Sequence, residues 1–150
     1  MRNFFLVLCA VVLTGCVSAK IPTYLNDNVP YKKNFYSSYD DTLSAVKQSL
    51  EDLGWKIASL SDLVVYEVQA ATDDTDRKQI LIFTEVRQTP FMLGTRYAKM
   101  NIFVRRLSET TEVEIRYVTI TSTLLKSFEN YKNDSAVARI FEHIEKLLKT

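Results

Sequence analysis

The chain of 150 residues is poor in glycine and histidine, with three glycines and a single histidine. Gly15, Gly54 and Gly94 are too far apart to form a Gly-rich phosphate-binding loop or a Gly-x-Ser-x-Gly nucleophile elbow. His143 has no second histidine, and no cysteine beyond residue 16, with which to build a metal site or activate a nucleophile. We therefore interpret His143 as a surface or boundary residue, and we predict no catalytic residue, no metal site and no cofactor.

Neither sign of charge dominates, since 19 lysines and arginines stand against 18 aspartates and glutamates and the net charge is +1. A chain with so little excess charge has no general electrostatic basis for binding the phosphate backbone of nucleic acid. Nucleic acid is therefore not a predicted partner, and a polybasic contact with lipid is not predicted either.

Long apolar runs are absent except near the N-terminus, where residues 4–13 carry no polar side chain apart from the thiol of Cys9. Arg2 precedes this run, and Thr14 and Gly15 end it. A membrane-spanning helix needs about 20 apolar residues. A positively charged start, a short apolar core and small residues at its end are instead typical of a secretory signal peptide. Residues 1–15 are therefore predicted to be a signal peptide that is cleaved.

The end of this signal, Leu13-Thr14-Gly15-Cys16, resembles the lipobox of bacterial lipoproteins, in which a branched apolar residue and two small residues precede a cysteine. The resemblance implies that the Cys16 thiol carries a diacylglyceryl group, that the chain is cut before Cys16, and that the new amine is acylated. Two or three acyl chains hold a protein at a bilayer without a membrane-spanning segment. With Cys9 removed and Cys16 acylated, neither a disulfide nor a thiolate metal site is expected.

The residues after the cysteine indicate the membrane to which the protein is attached. In lipoproteins of bacteria with two membranes, an aspartate directly after the cysteine resembles an inner-membrane retention signal. Here that position is Val17, followed by Ser18. The resemblance therefore implies attachment to the outer membrane, facing the periplasm. In a bacterium with a single membrane, the same protein would lie on the cell surface.

Residues 16–33 are predicted to be a lipidated N-terminus and tether, because Pro22, Pro30 and the segment Asn26-Asp27-Asn28 interrupt any regular periodicity. The alternative is that part of this segment packs on the domain, because four of its side chains are not typical of a free linker. They are Tyr24, Leu25, Val29 and Tyr31. The sequence does not decide between these alternatives.

Residues 34–150 are predicted to form one domain with a helix near each end. Apolar residues at spacings of three and four predict a first helix over about residues 40–53, capped near Ser38 and ended by Gly54. A second helix is predicted after a cap at Asp134, with a broad apolar stripe along one side. The stripe consists of Val137, Ile140, Phe141, Ile144, Leu147 and Leu148.

Between the helices, alternating and β-branched residues predict four or five antiparallel strands. These segments are residues 55–58, 64–70, 79–88, 96–106 and 111–123. In the last segment, apolar side chains such as Val113 and Ile115 alternate with charged ones such as Glu114 and Arg116, which predicts a sheet with one face in water. The expected fold class is α+β, an antiparallel sheet with both helices on its apolar face.

This element order, together with the segment TLSAVKQSLEDLGWKI at residues 42–57, resembles the helix-grip domains of BamC-type lipoproteins from the outer-membrane β-barrel assembly machinery. The resemblance extends over about residues 35–148, and it covers one domain where that family has two. It implies a helix-grip fold and an accessory role in the assembly or maintenance of the outer membrane.

Two further segments are candidates for binding. Asp73-Asp74-Thr75-Asp76 offers oxygen ligands for calcium but lacks the glycine and the later glutamate of an EF-hand loop, so we interpret it as a solvated loop. Phe91, Met92 and Leu93 form an apolar connection between strands, where polar residues are usual. They are predicted either to contact a partner, such as another envelope protein, or to fold over the edge of the core.

These features predict a membrane-anchored cell-envelope lipoprotein that is not an enzyme and that binds another envelope protein, as an accessory factor in outer-membrane assembly or maintenance. The alternative is a periplasmic carrier that holds a small apolar ligand between the sheet and the helices. An enzyme is disfavoured, because the sequence offers no evident base or metal site for hydrolytic chemistry.

Overall fold

A computed structural model of the protein describes residues 20–62, 78–92, 94–123 and 126–149. The predicted signal peptide, Cys16, the predicted strand at residues 64–70, the acidic loop at residues 73–76 and Leu93 lie outside the described residues. The described part forms seven strands and two helices. In chain order they are β1 (Tyr31–Phe35), α1 (Tyr39–Asp52), β2 (Ile57–Ser61), β3 (Gln79–Thr84), β4 (Arg87–Phe91), β5 (Gly94–Arg106), β6 (Thr111–Thr123), β7 (Ser127–Asn130) and α2 (Asp134–Leu148).

The sheet is built around the long β5–β6 hairpin, which is paired without a break from Gly94 opposite Thr123 to Arg106 opposite Thr111. β3 and β4 follow one another along the outer edge of β5, and β2 pairs with β3. β1 and β7 follow one another in the same way along the outer edge of β6. All pairings are antiparallel, and the seven strands lie in five rows. The predicted α+β architecture is confirmed, but β1 and β7 were not predicted, and the single strand predicted over residues 79–88 is divided into β3 and β4.

Both helices begin at polar caps. The Ser38 hydroxyl accepts a hydrogen bond from the Asp41 amide at 3.1 Å, as predicted for α1. The chain leaves α1 through Gly54, whose φ of +74° is in the left-handed region that glycine adopts without strain. The predicted cap of α2 is wrong by one residue, because Asn133 rather than Asp134 accepts from the Ala136 amide, at 3.2 Å.

The main core lies between the two helices and one half of the hairpin. Alternate residues of the hairpin face this core, and all of them are buried. They are Met100, Ile102 and Val104 of β5 and Val113, Ile115 and Tyr117 of β6. Beyond them, the same face of the sheet is not covered by the helices. We call this region the open end, and it consists of β4, β7 and residues 94–98 and 119–123 of the hairpin.

The opposite face of the sheet was predicted to lie in water, and this prediction is wrong at its centre. Glu114 is 1% exposed, because residues 21–27 of the N-terminal segment cross this face. We call residues 21–27 the strap. Leu25 is completely buried against Val118 and Ile120, and its amide donates a hydrogen bond to the Asn101 side chain at 2.6 Å. From residue 21 onward, the segment assigned to a tether is therefore part of the packed domain.

The buried position of Leu25 leads to a stability prediction. Leu25→Ala is expected to lower the free energy of unfolding by about 2–5 kcal/mol, since it leaves a cavity between the strap and the sheet. Val29→Ala is the matched control from the same segment, because Val29 is 67% exposed and should change stability by less than about 0.5 kcal/mol. Urea denaturation of both variants measures the difference. Equally small effects would contradict a packed strap.

Candidate binding surface at the open end of the sheet

A cleft of ≈ 520 Å³ opens on the helix face of the sheet, within the size range of small-molecule sites. It lies where the C-terminal end of α1 and the N-terminal end of α2 meet the open end. Its floor includes Ala98 and Tyr117, and its walls include Leu53 and Trp55, which follow α1. The cleft exists because the helices do not extend over this part of the hairpin.

Positive charge is concentrated in this cleft. Arg87 is held at the end of α1, where its Nη1 donates to the Leu53 carbonyl at 3.4 Å and its guanidinium lies 5.4 Å from the Trp55 ring centroid. A cation at a helix C-terminus is favourable because the last carbonyls carry partial negative charge. Arg96 stacks over the Phe91 ring at 4.4 Å. The cations that line the cleft are Arg87, Arg96, Lys132 and Arg139, and none of the described lining residues is acidic.

The charges of these four side chains are balanced to different extents. Lys132 donates to the Val29 carbonyl, and its Nζ lies 3.9 Å from Asp27 Oδ2. Arg87, Arg96 and Arg139 form no ion pair within the described part of the chain. The cleft therefore carries an excess of positive charge in a protein whose overall net charge is only +1.

The rest of the cleft adds groups that form hydrogen bonds with a ligand. Thr89 of β4 and both Thr119 and Thr121 of β6 line it with hydroxyls, and Asn130 of β7 adds an amide. Asn133 also lines it and donates to the Tyr117 hydroxyl at 3.1 Å. The sequence predicts none of these residues as a site, because the lining comes from separate elements between residues 53 and 139.

The predicted apolar contact lies beside this cleft. Phe91 ends β4 and is half-buried beneath Arg96, whereas Met92 is 92% exposed in the turn to β5, with a φ of +46°. The backbone after the turn packs closely against β6, since a Cβ on Gly94 would lie 2.0 Å from the Ser122 carbonyl oxygen. Met92 therefore projects into solvent and does not cover the core, and Leu93 lies outside the described residues.

His143 does not line the cleft. Its Nε2 is 2.8 Å from Asp52 Oδ2, so it joins α2 to α1 at the surface. Within the described ranges, no group of three His, Cys, Asp or Glu side chains could hold a metal ion. No helix in those ranges is long and apolar enough to cross a membrane.

A second concentration of charge lies beneath the strap, on the opposite face of the sheet. The buried Glu114 carboxylate is 2.7 Å from both Arg105 Nη1 and Arg116 Nε, and 3.2 Å from Lys32 Nζ. Burial alone would raise the pKa of Glu114. The hydrogen bonds and charges of the two arginines outweigh this effect, and the pKa lies below its usual value of 4.5.

This cluster holds the strap in place. Arg116 Nη1 donates to the Tyr24 hydroxyl at 2.7 Å and to the Leu25 carbonyl at 3.3 Å, and its guanidinium lies 4.2 Å from the Phe103 ring centroid. These partners of Arg116 all belong to the strap or the sheet, so we interpret the cluster as structural and not as a binding site.

Comparison with known proteins gives little further information. No family model matches the chain, and no curated protein matches it. Among solved structures, the chain is similar to the vertebrate conserved region of human METTL16, with a TM-score of 0.45 and 10% sequence identity. That similarity covers 81% of this chain and 96% of the METTL16 region. Similarity at this level supports no functional assignment.

The Glu114 cluster yields a prediction for stability and its pH dependence. Glu114→Gln is expected to cost about 3 kcal/mol or more, since it leaves two arginines without their buried counter-charge. Glu112→Gln is the matched control on the same face of β6, because Glu112 is more exposed and bonds to Arg105 alone. It should cost less than about 1 kcal/mol.

The sign of the pH effect follows from the lowered pKa. Stabilisation by ionised Glu114 is complete above the usual pKa of 4.5 and is lost as the pH falls through the lower folded-state pKa. Urea denaturation at about four pH values between 3 and 7 should show that the free energy of unfolding of the native chain decreases as the pH falls. This decrease should be smaller in Glu114→Gln. Parallel pH profiles for the two proteins would contradict this account.

Proposed function

We propose that the protein is a lipid-anchored binding protein of the bacterial cell envelope, not an enzyme, attached through Cys16 to the periplasmic face of the outer membrane. The observation that carries the proposal is the lipobox-like motif Leu13-Thr14-Gly15-Cys16, and only four residues separate Cys16 from the packed strap, which begins at Ile21. Five extended residues span at most about 17 Å. An anchor on Cys16 would therefore hold the domain at the bilayer surface.

The course of the strap supports a role for the open end. The Pro22 carbonyl accepts from Lys99, and two residues later Tyr24 packs edge-on against Phe103. Ile21, the first residue of the strap, packs against the cluster that contains Val118 and Ile120, so the strap begins close to the open end. A lipid on Cys16 would bring the open end close to the membrane, where an envelope partner could contact Met92.

The packing of the interior favours surface binding over the alternative of an apolar-ligand carrier. Leu50, Met100, Ile140 and Ile144 fill the space between the helices and the sheet, and each is at most 1% exposed. The open cleft is lined by cations, hydroxyls and amides together with apolar side chains such as Leu53 and Trp55, and its described lining contains no carboxylate, histidine or cysteine. These groups hold a ligand and are not the usual bases or nucleophiles of hydrolytic enzymes.

Replacement of Cys16 tests the anchor. The native product is expected to begin at Cys16 and to carry acyl chains in intact-mass spectrometry, and to sediment with the outer membrane. Cys16→Ser should lose both the acyl mass and the cleavage before residue 16. Cys9→Ser is the matched control, since it changes the other cysteine and should leave lipidation intact. A native product that retains Met1, or that lacks acyl mass, would end the proposal.

Site-specific photo-crosslinking in living cells tests the partner contact. A crosslinking residue at Met92 is expected to give one defined adduct with an envelope protein. The control position is Tyr36, which is 90% exposed and follows β1 at the opposite end of the hairpin. The absence of an adduct at Met92, or the same adduct from both positions, would show that the turn is not the contact.

A further inference from the structure

We propose that the cationic cleft at the open end is a binding site for phosphate groups. This inference goes beyond the proposed function, because it concerns the ligand of the cleft and does not depend on lipidation of Cys16. It rests on the charge, the geometry and the hydrogen-bonding groups of the described lining residues.

The charge of the cleft calls for an anion. Four cations line a volume of ≈ 520 Å³ without a carboxylate among the described lining residues, and within the described part of the chain only Lys132 of the four forms an ion pair, with Asp27. Like charges gathered in one concave site repel one another and focus a positive potential into it. A bound anion relieves this repulsion, so an anionic ligand gains more here than at an isolated surface arginine.

Two of the three arginines, Arg87 and Arg96, are restrained before any ligand arrives. Arg87 is fixed by the Leu53 carbonyl and the Trp55 ring, and Arg96 lies on the Phe91 ring. Stacking restrains the guanidinium and leaves other N–H groups available for a ligand, which reduces the entropy lost on binding. The planar fork of guanidinium N–H donors matches two oxygens of a phosphate group.

The N-terminus of α2 borders the cleft. The N-cap residue Asn133 and Ala136 of the first turn line it, and Arg139 follows one turn later. Asp134 of the same turn offsets part of the positive charge of this helix end, so the attraction for an anion comes mainly from the cationic side chains.

The number and spread of the donors favour phosphate over a single carboxylate. Arg87 comes from β4, Arg96 from β5 and Arg139 from α2, so they surround a ligand from different sides. Hydroxyls of Thr119 and Thr121 lie on the floor between them. A phosphate monoester has three terminal oxygens and about −1.5 to −2 charge at neutral pH, whereas a carboxylate has two oxygens and one charge. The phosphate monoester could belong to a soluble compound or to a lipid with a terminal phosphate headgroup, since both present the same three oxygens.

Tryptophan fluorescence can report ligand binding in the cleft. Trp55 is its single tryptophan and lines the cleft beneath Arg87. The full chain, purified in a non-ionic detergent, is titrated with sodium pyrophosphate in one arm and with monomeric dihexanoyl phosphatidic acid in the other. Sodium succinate is the carboxylate comparison, and sodium chloride at equal ionic strength is the blank. Isothermal titration calorimetry repeats each titration without relying on fluorescence.

We expect saturable binding in at least one phosphate arm, weaker as salt increases. The double variant Arg96→Gln/Arg139→Gln should weaken it by at least about tenfold, because each arginine supplies charge-assisted hydrogen bonds. Arg106→Gln is the matched control, since Arg106 lies on the same strand and face as Arg96 but at the other end of the hairpin. It should change affinity by less than about twofold.

Each outcome decides the proposal. Binding of pyrophosphate identifies soluble phosphates, and binding of the phosphatidic acid alone identifies a lipid headgroup; both support a phosphate site. Circular dichroism verifies that the variants are folded, as expected for substitutions of exposed arginines. The proposal is overturned if neither arm shows saturable binding by calorimetry, if succinate binds as tightly, or if Arg106→Gln weakens binding as much as the double variant does.

Discussion

The two helices are shorter than the hairpin that they cover, and this difference in length determines where the core ends and the binding surface begins. β5 and β6 have 13 residues each, which gives about 44 Å at about 3.4 Å per residue. The 14 residues of α1 and the 15 of α2 extend only about 21–23 Å at about 1.5 Å per residue. The helices therefore cover one half of the hairpin and leave the other half, with its arginines and threonines, accessible.

The other face of the sheet depends on the strap. Without residues 21–27, the carboxylate of Glu114 and the guanidinium of Arg116 would lie in water, as the alternation in β6 predicts. The strap removes that water, and Arg116 compensates by bonding both to Glu114 and to the strap. A buried charge that loses one of its partners is costly, so the strap and the cluster stabilise each other. The segment next to the proposed lipid anchor is thus bound to the centre of the fold.

The elements that the sequence predicted are those whose signals are local. A cap at Ser38, a left-handed stop at Gly54 and alternation along residues 111–123 are visible within a few positions, and the structure has the corresponding elements. β1 and β7 have five and four residues, too few for a clear period, and they form because β6 offers a free edge. The burial of Leu25 and the convergence of the cleft arginines depend on contacts between distant segments, which single-sequence patterns do not contain.

The anchor and the cleft complement each other energetically if both proposals hold. The cleft is open and its arginines are exposed, so each contact with a phosphate is screened by solvent and salt and contributes little alone. A domain held within about 17 Å of a bilayer meets ligands of that surface at an effective concentration far above that in solution. A weak, open site is then sufficient, and it exchanges ligand quickly because little has to be desolvated. The same arginines in a free-floating protein of net charge +1 would need a deeper, drier pocket to retain a ligand.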